Sequence, residues 1–121
     1  MNERVLNRLE WSLLSRQMDD IEPMFILYAD ENRDEGATLD EVLQALVKLV
    51  NLGFSKCRLE ENNRIGRVCQ NLTVDDLKRR FAGQPEKEQK EYPDVPEYYF
   101  EITEKGRQEE AKEMYEEYYP T

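Results

Sequence analysis

Between Thr38 and Gly53 the chain reads TLDEVLQALVKLVNLG, and this run restricts the fold more than any other. Leu39, Val42, Leu43, Leu46, Leu49 and Val50 recur at spacings of three and four, so one side of a helix must be buried. Thr38 and Glu41 form a capping box at its start, each side chain placed to satisfy the other's orphan backbone N–H. Gly53 supplies a left-handed stop, and Asp40, Gln44, Lys48 and Asn51 are left for the outer face. Directly after Gly53 the period changes to two. Phe54, Lys56 and Arg58 alternate with Ser55, Cys57 and Leu59, the pattern of a strand, and the expected class is α+β, mostly helical.

Two helices are expected before this one. Residues 3–17 carry Val5, Leu6, Leu9, Leu13 and Leu14 at helical spacing, with Asn2 as the cap. Asp20 is placed to cap a second helix with Pro23 in its first turn, where a missing N–H does no harm, and with Ile21, Phe25, Tyr28 and Ala29 as its buried stripe. A second strand is expected at EYYFEIT (97–103), with Tyr98, Phe100 and Ile102 on one face and Tyr99 and Glu101 on the other. It is the natural antiparallel partner of 54–59. The insertion between them, 60–96, holds a short helix over 73–82, capped by Thr73 with Asp76 at its third position and Leu72 stapled to Leu77. A proline-containing polar strap follows over 83–96, and Thr103 opens a last helix with Ala111, Met114, Tyr115 and Tyr118 as its stripe. The length suits one domain, 1–121.

The order helix, helix, helix, strand, strand, helix resembles a winged helix-turn-helix domain. The runs LVKLVNLGFSKCRL (46–59) and YYFEITEKGR (98–107) are similar to the matching junctions of bacterial MarR and PadR-type regulators, and the likeness covers roughly residues 9–118. It implies three N-terminal helices, an antiparallel β-hairpin wing carrying the helical insertion, and a C-terminal helix of the kind through which many such regulators dimerise. At the Thr-x-x-Gly-Arg corner, Thr103 caps the helix and Gly106 leaves its first turn without a side chain to collide with the hairpin.

In such a fold the third helix would enter the major groove. Here it offers Asp40, Glu41, Gln44, Lys48 and Asn51 behind Glu35, too little positive charge to offset phosphates. The chain carries a net charge of −10, which favours basic partners over nucleic acid. Residues 56–80 reverse the sign, with seven basic side chains against four acidic ones. Lys56, Arg58, Arg64, Arg67, Lys78, Arg79 and Arg80 are therefore the candidates for nucleic-acid or anion contact. For Lys78, Arg79 and Arg80 the plainer role is the solvated face and dipole-complementing end of a short helix, or pairing with acidic residues elsewhere.

Tyrosines crowd the last thirty residues. Tyr99, Tyr115, Tyr118 and Tyr119 are the candidates for a protein interface, since tyrosine buries a large area at low entropic cost. Catalysis has little to draw on: there is no histidine and no glycine-rich phosphate loop. Glu109, Glu110, Glu113, Glu116 and Glu117 follow the exposed face of the last helix, Cys57 faces the core and Cys69 has no base nearby in sequence. No catalytic, cofactor-binding or metal-binding residues are assigned. With no CxxC pair and no membrane-spanning or signal-like run, a cytoplasmic chain with reduced thiols is expected, a Cys57–Cys69 disulfide staying open as the minor alternative.

The run DENRDEGATLDE (30–41) places Asp30, Asn32, Asp34, Thr38 and Glu41 at the ligand spacing of a calcium-binding EF-hand loop. Glu35 stands where that loop needs glycine, Ala37 where it needs a larger apolar residue, and the favoured assignment is a turn between two helices. The expected function is thus a non-catalytic regulatory module that binds a protein partner or itself, with neither a membrane nor a small-molecule substrate. The alternative is a transcriptional regulator contacting DNA through its basic wing, and the third is a calcium-binding helix–loop–helix protein.

Overall fold

Asn7, not Asn2, opens the first helix, α1 (Arg8–Ser15). Its side chain accepts from the Glu10 amide at 2.8 Å, and the Glu10 carboxylate accepts from the Asn7 amide at 2.8 Å. The computed structural model describes residues 5–61, 64–82 and 97–118, with the side chains of 61, 64, 65 and 80–82 outside that description, as is Asn2. Trp11, Leu13 and Leu14 of α1 are buried.

The second helix also starts later than its sequence suggests. A residue before proline is driven into extended geometry, and Glu22–Pro23 accordingly form a two-residue strand, β1. Proline tolerates this place because β1 is at the sheet edge. Helix α2 runs Met24–Glu35, while Asp20 accepts from the neighbouring Ile21 amide at 2.8 Å instead of capping it. Met24, Leu27 and Glu31 are its buried residues; Ile21, Phe25, Tyr28 and Ala29 are half-buried.

Helix α3 (Leu39–Asn51) matches its expectation closely. The Thr38–Glu41 capping box is formed, with bonds of 3.2 and 2.9 Å. Val42, Leu43, Ala45, Leu46 and Leu49 are buried, each such aliphatic side chain contributing about 1–3 kcal/mol. Asp40, Gln44, Lys48 and Asn51 are exposed. The helix is central, touching α1, α2, a later helix and the sheet. Gly53 then takes φ = +82°, the left-handed conformation that releases the chain into a strand.

That strand, β2 (Ser55–Glu61), pairs antiparallel with β3 (Arg64–Val68), and a further strand, β4 (Tyr98–Ile102), pairs with β2 on its other side. Register runs antiparallel from Ser55↔Ile102 to Leu59↔Tyr98, and the order is β1-β4-β2-β3. The strand pair 54–59 and 97–103 is therefore present, while β1 and β3 went unanticipated. Cys57, Phe100 and Ile102 face the core. Helix α4 (Val74–Ala82) follows β3, with Leu72 and Leu77 buried as the staple requires.

The final expected helix is instead two pieces. Helix α5 (Glu104–Glu110) is capped by Thr103, and a 3-10 segment (Glu113–Tyr118) follows a break at Ala111–Lys112. Ala111 is exposed, Met114 and Tyr118 are half-buried, and Tyr115 is wholly buried. No glycine or proline marks the break. The segment tightens where Tyr115 and Tyr118 pack beneath the N-terminal turn: the Tyr115 hydroxyl accepts from the Leu6 amide at 3.2 Å, and the Tyr118 hydroxyl donates to the Leu6 carbonyl at 3.5 Å. Among the described residues no helix is long and apolar enough to cross a membrane.

Candidate functional site

The Thr103 corner fixes where the sheet stands relative to α3. The Thr103 amide donates to the Phe54 carbonyl at 2.9 Å, and its hydroxyl donates to the Gly53 carbonyl at 2.6 Å while accepting from the Gly106 amide at 3.0 Å. One threonine thus ties the end of β4 to the start of β2 and caps α5. Lys105 covers the junction, its Nζ donating to the Leu52 carbonyl at 2.9 Å and standing 5.3 Å from the centre of the Phe54 ring.

The described basic candidates are spread over β2, β3 and α4. Arg58 pairs with Glu101 at 3.4 Å and donates to the Gly66 carbonyl at 3.2 Å. Lys78 meets Asp40 at 2.7 Å, which raises the ammonium pKa, and Arg79 meets Asp76 at 2.7 Å. Asp76 is itself held below the usual carboxylate range, first by the Thr73 amide and hydroxyl and then by Arg79. These pairs are largely exposed and worth about 0–1 kcal/mol each. Their weight is electrostatic: three of the cations already have carboxylate neighbours. Lys56 on β2 and Arg67 on β3 are exposed. The side chains of Arg64 and Arg80 lie outside the described residues, as does the 83–96 strap.

The outer face of α3 is no more basic than its sequence. Lys48, its one cation, bends to α1, where Nζ meets Glu10 at 3.0 Å and the Val5 carbonyl at 3.3 Å. Asp40 and Glu41 occupy the first turn.

The calcium-like run is mostly helix. Residues up to Glu35 belong to α2, and Gly36 ends it at φ = +67°, so the turn is Gly36–Thr38 and Asp34 and Glu35 precede it. Asp30 and Asp34 are drawn to Arg16 and Arg33 at 2.8–3.8 Å, Asn32 Nδ2 donates to the Ala37 carbonyl at 3.0 Å, and Thr38 and Glu41 cap α3. Among the described residues no group of three or more histidine, cysteine or acidic side chains is placed to hold a metal. A cleft beside this turn, lined by Arg8, Leu9, Glu35, Gly36, Ala37 and Glu41, is crossed by the Arg8–Glu35 pair at 3.1 Å.

The tyrosines divide. Tyr115 belongs to the core, donating to the buried Glu109 carboxylate at 2.5 Å, and so cannot face a partner from this position. Tyr118 stacks on it at 5.7 Å and meets Trp11 at 6.0 Å. Tyr99 alone among the described candidates sits on the outer sheet face, half-buried, its hydroxyl donating to Glu60 at 3.1 Å. Tyr119 lies outside the described residues. Glu109 and Glu110, expected on a solvated face, are buried because the chain breaks after them and folds back, whereas Glu113, Glu116 and Glu117 are exposed.

One polar cluster was not expected at all. Glu31 is fully buried, and its Oε2 accepts from the Ser12 hydroxyl at 2.6 Å and from Arg16 Nε at 2.7 Å. Its Oε1 has no hydrogen-bond partner among the described residues. The sequence signal was weak: a glutamate at a core position of α2, opposite a serine on α1 and the arginine four residues later at its C-cap.

The fold is α+β, with α-helices around a small antiparallel sheet of four strands among the described residues. No known family, no curated protein and no solved structure matches the chain.

Proposed function

We propose that the chain is a winged helix-turn-helix interaction module, regulatory and non-catalytic, that binds a protein partner or a second copy of itself. The winged arrangement is supported by three helices leading through Gly53 into β2, by β4 lying beside β2 with β3 and α4 inserted between them, and by the Thr103–Gly106 corner.

The observation that carries the choice of protein over duplex is the Lys78–Asp40 pair at 2.7 Å. It stands where the basic helix α4 meets the first turn of α3, the end that a groove-reading helix presents to base edges. With Asp40 and Glu41 at that end and Lys48 turned to Glu10, α3 offers phosphates no release of counterions. The sheet's outer face is the better surface. Tyr99 stands there in register between Pro23 and Arg58, with Glu60 and Glu101 near it, an aromatic anchor inside a polar rim.

Sedimentation velocity over a range of concentrations, with capture from native extract, tests this for the wild type and Tyr99→Ala. Association lost in the variant is the expected result. A strict monomer whose captured partners are indifferent to Tyr99 would contradict it. The exposed Lys56 and Arg67 favour a second reading, a DNA-binding regulator that touches the duplex backbone with the β2–β3 ribbon.

A further inference from the structure

The register that pairs Arg58 with Val68 continues one step further, setting Cys57 opposite Cys69, and the Cys69 amide donates to the Cys57 carbonyl at 2.7 Å. Hydrogen-bonded antiparallel partners have Cα atoms about 5.5 Å apart, inside the range of about 4.4–6.8 Å that a disulfide accepts. Directly opposed residues also project to the same side of the sheet. Cys57 is fully buried there and Cys69 is half-buried against the same core.

From this juxtaposition we propose that Cys57 and Cys69 form a reversible intrachain disulfide, closed by exchange with a small-molecule disulfide, that ties the connection between β3 and α4 to β2. Burial pushes the Cys57 thiol up, and the Cys69 thiol beside it raises it further. Attack therefore starts at the more accessible Cys69. Its thiolate displaces one thiolate from the small disulfide, leaving a mixed disulfide. Cys57 then gives its proton to solvent and attacks the Cys69 sulfur, expelling the second small thiol. Two protein thiols are oxidised and one small disulfide is reduced to two thiols, so atoms and electrons balance. Because a buried, proton-bound thiol is a poor nucleophile, the second step is the slow one.

The link restrains the stretch that carries Leu72, Thr73 and the first turn of α4, the helix whose Lys78 reaches Asp40. It is independent of which partner the module binds.

The test is incubation of the native, full-length chain with oxidised glutathione, followed by intact mass, thiol titration and peptide mapping. A transient glutathione adduct at Cys69 should give way to a product about 2 Da lighter than the reduced chain, with both thiols lost, a Cys57–Cys69 peptide, and recovery in dithiothreitol. Cys57→Ala should stop at a stable Cys69 adduct. A wild-type chain that keeps both thiols, halts at the same adduct, or links to a second chain would overturn the proposal.

Discussion

The Cα of Gly106 faces the carbonyl of Phe54 so closely that a methyl group there would overlap the Phe54 oxygen and come within 2.8 Å of Ile102 Cγ1. Both obstacles belong to the β2–β4 junction, and the Phe54 carbonyl is backbone that cannot swing aside. Gly106→Ala should destabilise the fold by about 3 kcal/mol or more, read as a lower urea midpoint. Gly36→Ala is the control, because no atom lies within 4 Å of the added carbon and the cost is that of a left-handed backbone, about 1–2 kcal/mol. Equal losses at the two sites would remove the corner from its structural role.

The buried Glu31 carboxylate depends on Arg16. Arg16→Met leaves Ser12 as its sole hydrogen-bond donor among the described residues and should destabilise by about 3–5 kcal/mol. The double replacement Arg16→Met with Glu31→Leu should recover most of that loss, since no buried charge is then left uncompensated. Chemical denaturation of the four-member cycle measures it.

The phenol of Tyr115 is pushed up from 10.0 to about 12, first by burial and then by its bond to Glu109. Below pH 10 it is neutral folded or unfolded, and its contribution is complete. As pH rises from 10 through about 12, the unfolded chain ionises where the folded chain does not, and stability falls. Tyr115→Phe should be destabilised at neutral pH by about 1–3 kcal/mol, with the Leu6 amide and the Glu109 carboxylate each losing a partner. It should also lose less further stability than wild type above pH 10, as denaturation midpoints against pH will reveal.

Asp34 acts at the other end of the scale. Arg33 first, then Arg16, lower its carboxyl from 3.8 to about 2. Its contribution is present above pH 3.8 and disappears as pH falls from there through about 2. Asp34→Asn should flatten that part of the acid-denaturation curve, and a curve superimposable on wild type would contradict the assignment.

The sequence made α3, its capping box, the Gly53 stop and the Gly106 corner legible, because each is a local rule with a residue-specific signature. Asn7 was equally legible in hindsight: Asn7 and Glu10 have the capping-box spacing, whereas Val5 follows Asn2 at that position. β1 was hidden because two residues carry no periodicity, although Pro23 already disfavoured a helix through Glu22. β3 was hidden by its composition, with Gly66 at a register shift where a Cβ would stand 3.3 Å from the Leu59 carbonyl. Tyr115, Glu109 and Glu110 were misplaced for a deeper reason. Their burial depends on how residues 111–118 fold against Leu6 and Trp11, more than a hundred positions away in sequence for Leu6, and no local pattern encodes that contact.

The proposal that protein and not duplex is the ligand rests on the described basic side chains, most of which meet carboxylates of the chain itself. It is tested most directly by titrating the chain with labelled mixed-sequence duplex DNA at low salt and following anisotropy. No saturable binding is predicted, for wild type or for Lys78→Ala. Saturable binding that weakens as a power of salt concentration, and that Lys56→Ala with Arg67→Ala abolishes, would contradict the account.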